Sequence, residues 1–119
     1  MVKRTRELLA VLIISLFAYT CSMDQKQQPS QTVQYGDIEI RLTRVNRDDI
    51  PRTSIANIAA YNSKGAVVWQ AERPRSNLDQ YWDMKLDASK NVLIANTTLS
   101  FQAIINLDNG KLIDFYLVK

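Results

Sequence analysis

From Gly36 onward the apolar residues of this chain recur with a period of two, and no segment carries a sustained helical stripe. In DIEIRLTRV (37–45), Ile38, Ile40 and Leu42 alternate with Glu39, Arg41 and Thr43. In YWDMKL (81–86), Trp82, Met84 and Leu86 alternate with Tyr81, Asp83 and Lys85. In LSFQAIINL (99–107), Leu99, Phe101, Ala103, Ile105 and Leu107 fall on one face. Alternation of this kind sends one row of side chains inward and the other outward from a strand, which a helix cannot do. The expectation is an all-β domain with Trp82 facing the core and Tyr81 facing out.

Turn chemistry divides the domain into elements. NSKG (62–65) separates SIANIAAY from AVVWQA, with Gly65 able to take the positive φ that closes a hairpin. DASKN (87–91) separates YWDMKL from VLIAN, and DNG (108–110) precedes KLIDFYLV as the strongest hairpin signal. NRDDIPRT (46–53) and ERPRSNLDQ (72–80) combine proline with charge and are expected as loops. The result is about seven strands in antiparallel succession over residues 36–119, forming a small sandwich or an open barrel.

The N-terminus obeys different rules. MVKRTRE is basic, and Leu8 to Thr20 is almost wholly apolar. As a helix, that run would rise about 20 Å, short of the roughly 30 Å hydrocarbon core. A positive head followed by a short apolar run is expected as an export signal over residues 1–20. Residues 22–34 (SMDQKQQPSQTVQ) are polar and Gln-rich, so 21–35 is expected as a flexible tether. The leader also accounts for the basic balance. Lys3, Arg4 and Arg6 are three of the 15 basic residues and Glu7 is one of the 12 acidic ones, which leaves twelve against eleven beyond residue 20. Nucleic-acid binding is therefore not expected, because phosphate recognition needs a concentrated positive field.

The chain has one cysteine, Cys21, at the end of the apolar run, so no disulfide can form within it. The arrangement FAYTCS resembles a bacterial lipoprotein signal peptide, in which a lipobox ends in the cysteine that becomes the mature N-terminus. The resemblance implies cleavage after Thr20, acylation of Cys21 and stable attachment to membrane lipid. It also implies a place in the bacterial cell envelope, with Ser22 pointing to the outer membrane facing the periplasm. The lipobox is imperfect at Tyr19, which is bulky where that family has a small residue. Thr20 and Ser22 also satisfy an ordinary signal peptidase, which would discard Cys21 and leave a chain starting at Met23. A second resemblance lies in the folded part. Gly65 and Gly110 each close a turn before an apolar strand (GAVVW, GKLID), similar to β-propeller blades and in particular to the G-x-x-x-W of quinoprotein-like repeats.

Without histidine, Ser-His-Asp and Cys-His catalysis and histidine zinc sites are excluded. The three glycines are scattered, so there is no phosphate-binding loop, and no cofactor or metal is expected. Asp48 with Asp49, and Asp79 with Asp83, are the carboxylate pairs available for acid–base chemistry. Arg73, Arg75 and Tyr81 form the candidate binding surface, since arginine and aromatic residues are enriched at binding hot spots. The expected function is a non-catalytic, lipid-anchored binding module, accessory or immunity-type, with an envelope protein as partner. The alternatives are a small carboxylate-type hydrolase acting on envelope polymer, or a self-assembling subunit whose copies complete a ring.

Overall fold

The computed structural model describes residues 28–118; the expected leader and Cys21 lie outside them. The chain forms eight strands: β1 (Gln31–Tyr35), β2 (Ile38–Leu42), β3 (Ile58–Tyr61), β4 (Val67–Gln70), β5 (Tyr81–Asp87), β6 (Val92–Thr97), β7 (Phe101–Asn106) and β8 (Leu112–Leu117). They make two four-stranded antiparallel sheets with strands in sequence order, β1-β2-β3-β4 and β5-β6-β7-β8. The fold is all-β, as the alternation requires, and the sheets remain separate rather than closing into a barrel.

The strand count exceeds the expectation by β1, which lies within the segment expected as a tether. Polar glutamines mask a half-buried strand there. Val33 and Tyr35 pack against the core and pair with Ile40 and Ile38 of β2, while Thr32 and Gln34 face solvent. Between the sheets lies one apolar core that includes Ile40, Leu42, Ile58, Trp69, Tyr81, Leu93, Ile105 and Leu107. In β2 the inward row is the expected one; in β7, Ala103 and Ile105 are buried and Phe101 stacks on Phe115 with centroids 4.9 Å apart.

β5 departs from the alternation. Its register with β6 shifts between Tyr81 and Asp83, so both Tyr81 and Met84 point inward and Trp82 is 43% exposed. A bulge adds a residue to one strand and reverses the facing of whatever precedes it. The expected orientations of Tyr81 and Trp82 are thereby exchanged.

The outer edge of β5 is covered by side-chain amides instead of another strand. Asn57 donates to the Tyr81 carbonyl (2.7 Å) and accepts from its N–H (2.8 Å). Gln31 does the same for Met84, at 2.6 and 3.0 Å. Arg44 Nε donates to the Trp82 carbonyl at 2.7 Å. From the other direction, Gln80 donates to the Val45 carbonyl and accepts from the Val45 N–H, both at 2.9 Å. An amide offers a donor and an acceptor side by side, as a neighbouring strand does, so it can satisfy backbone at a sheet edge.

Candidate functional site

Three connections meet at the end of the sandwich where β1 enters: the β2–β3 loop, the β4–β5 loop and the turn between β6 and β7. The β4–β5 loop carries the expected Arg73 and Arg75, and its conformation is fixed by Asp79. Asp79 is fully buried and accepts hydrogen bonds from Ser76 Oγ (2.5 Å), Thr98 Oγ1 (2.7 Å), and the N–H groups of Gln80 (2.9 Å) and Leu99 (3.2 Å). Burial alone pushes this carboxyl up, but donors from Ser76, Thr97, Thr98 and Gln80 outweigh it and hold Asp79 below the usual carboxylate range. Ser54 Oγ donates to the Ser76 carbonyl, Ile55 N–H to the Asp79 carbonyl (3.2 Å), and Pro74 is buried. The loop is thus tied to both neighbouring connections.

Around this loop are two hollows. One, of about 340 Å³, is polar and includes Thr53, Ser54, Glu72, Arg73 and Arg75 in its lining. Both arginines are exposed, and among the described residues the ion pair present is Arg41–Glu39, remote from them on β2. Two cations are thus displayed on a fixed loop with no ion pair to them among the described residues, and Glu72 is the carboxylate that lines the same hollow. Tyr81, the third residue of the expected surface, does not join them. Its hydroxyl donates to the Glu72 carbonyl at 2.6 Å from a fully buried position. Burial first, then the negative charges of Glu72 and Asp79, push its ionisation far above the ordinary tyrosine value, with Arg75 pulling the other way.

The second hollow, about 380 Å³, is a mainly apolar cleft lined by Val45, Ile50, Leu78, Trp82 and Leu99, with Arg47 also in its lining. Leu78 and Leu99 are 56% and 44% exposed. Leu78 also has φ +55, a left-handed backbone that costs a residue with a Cβ roughly 1–2 kcal/mol. Its N–H donates to the Arg52 carbonyl at 3.2 Å, which helps hold that conformation. The Arg44 guanidinium lies 4.3 Å above the Trp82 ring. Leu78 carries no sequence signal, and Leu99, expected on the inward face of LSFQAIINL, instead precedes β7 in a turn where its N–H is drawn to Asp79, which leaves its side chain exposed.

The carboxylates expected as pairs are dispersed. Asp48 and Asp49 are exposed in a short 3-10 turn, Asp79 is buried, and Asp83 accepts from Asn96 at 2.7 Å on the outer face of the second sheet. Among the described carboxylates, Glu72 alone lines either of these hollows. Among the described residues no group of carboxylate, cysteine or histidine side chains is arranged to hold a metal ion. No helix among them is long and apolar enough to cross a membrane.

Comparison with known proteins adds a family and a fold. A family described as "Domain of unknown function (DUF7957)" matches residues 18–116, a span that includes Cys21. No curated protein matches the chain. Among solved structures it is similar to the computationally designed Ika8 protein, with 10% identity and a TM-score of 0.50, over 71% of this chain and 22% of that one. A likeness at that identity speaks to the fold alone.

Proposed function

The chain belongs to the DUF7957 family of domains of unknown function, and from its geometry we propose that it is a non-catalytic binding module held at the bacterial envelope by acyl chains on Cys21. The observation that carries this reading is the pair Arg73 and Arg75, exposed and without an ion pair among the described residues, on a loop immobilised by buried Asp79. A loop backbone fixed in advance loses little entropy when its arginines meet a carboxylate-bearing partner, and arginine binds such groups in a planar, two-pronged fashion. The partner is an acidic surface of an envelope protein. The lipobox-like FAYTCS supports attachment to the membrane, and Ser22 after the cysteine supports a position on the outer membrane facing the periplasm.

The hydrolase alternative has less support. It requires two carboxylates facing across a cleft, one with a raised pKa. Among the described carboxylates Glu72 alone lines either of the two hollows, and Asp79 is shifted in the opposite direction.

The test is affinity capture from envelope extract with the membrane-extracted chain and its R73E/R75E variant. The wild type should retain a partner that charge reversal releases and that added salt weakens. Truncation to R73A/R75A should reduce affinity by about 10- to 100-fold, equivalent to about 1.4–2.8 kcal/mol. An identical captured set for wild type and reversed variant would sink the proposal.

A further inference from the structure

We infer that the apolar end of the sandwich, built around Leu78, Trp82 and Leu99, seats on the surface of a lipid bilayer and orients the domain. The inference rests on the lipid-anchor reading of Cys21, and it adds a second contact with the same membrane.

Five of the nine large apolar residues exposed among the described residues gather at this end. Besides Leu78, Trp82 and Leu99 they are Leu117 and Val118 at the finish of β8, brought there by the Val118 N–H donating to the Ser100 carbonyl at 2.8 Å. The chain enters the domain at the same place. The Ser30 N–H donates to the Leu42 carbonyl (2.7 Å), and Ser30 Oγ accepts from the Arg44 N–H (3.1 Å). Arg44 is the residue whose guanidinium covers Trp82. From Cys21 to Ser30 the chain can span at most about 30 Å. An anchor at Cys21 therefore attaches at this end and holds it within reach of the bilayer.

The side-chain types agree with that location. Tryptophan and arginine together suit the headgroup region, where an indole can lie half in hydrocarbon and a guanidinium can meet phosphate. Arg44 and Arg47 stand at the cleft, but Asp48 and Asp49 offset them, so insertion of apolar side chains outweighs charge attraction. The seating should thus depend only weakly on salt.

The experiment uses the full chain, extracted from membrane and reconstituted in phosphatidylethanolamine/phosphatidylglycerol vesicles with brominated acyl chains. Trp69 is buried with its Nε1 donating to the Leu107 carbonyl, so bromine contact reports on Trp82. Wild-type emission should be quenched, W82F should lose that quenching, and L78N/L99N should reduce it; asparagine at 78 tolerates the left-handed backbone. Vesicle-bound protein with unquenched Trp82 would overturn the seating while leaving the anchor in place, as would a dimer with unquenched Trp82. A chain whose intact mass carries no acyl group would end the anchor reading. The same vesicles would then decide the seating by themselves, with quenching sustaining it and no quenching overturning it.

Discussion

At the scale of single residues, Asp79 decides the most. Four donors aim at its two oxygens in a water-poor loop, and the carboxylate form answers all of them. Because the folded pKa lies below the ordinary one, its contribution is fully present above about pH 4 and is lost as pH falls through the folded value. The D79N variant should therefore be less stable than wild type by about 1.5–3 kcal/mol near neutral pH, and the gap should narrow in acid. Denaturant melts of both proteins between neutral pH and pH 3 would check this; a gap independent of pH would contradict it. From the sequence alone Asp79 is an acid–base candidate, since nothing in RSNLDQ announces that the side chain turns inward. Tyr81 and Trp82 went astray for a related reason. The period of two in YWDMKL is intact on paper, and the bulge that reverses it arises from pairing with β6.

The scale of whole elements was more legible. Gly65 and Gly110 both adopt positive φ, as their turns demand, and Gly110 has a second constraint that no local pattern shows. A Cβ there would meet Trp69 Cε3 at 2.6 Å and the Gln70 carbonyl at 2.9 Å. β1 escaped notice because a strand can be built of Gln and Thr when only Val33 and Tyr35 need to reach the core. The edge of β5 was invisible too, since amides from residues 31 and 57 cover it across a long sequence separation. In N57A, both backbone groups of Tyr81 would lose their partners, costing about 1–3 kcal/mol for each unsatisfied group. The expected outcome is a lower urea midpoint with an unchanged slope. A midpoint equal to wild type would mean that water replaces the amide without loss.

For the molecule as a whole, the informative surfaces are the two outer faces. On the first sheet Arg41 pairs with Glu39 at 2.5 Å and lies 4.1 Å from the Tyr61 ring centroid. Across the second sheet runs a row in which Tyr116 donates to Gln102, Gln102 to Asn96 and Asn96 to Asp83. Each sheet is a four-stranded meander like the unit that a propeller repeats, but ring closure would bury these polar rows between neighbours. The extracted protein should therefore sediment as a monomer in detergent; a closed multimer would restore the ring reading. One consequence of the amide clamps concerns time. Side-chain amides hydrolyse slowly to carboxylates, and such a change at Asn57 would turn its donor to the Tyr81 carbonyl into an acceptor. The junction of the two sheets is thus sensitive to a single such change, which would begin to part the seam beside the β4–β5 loop.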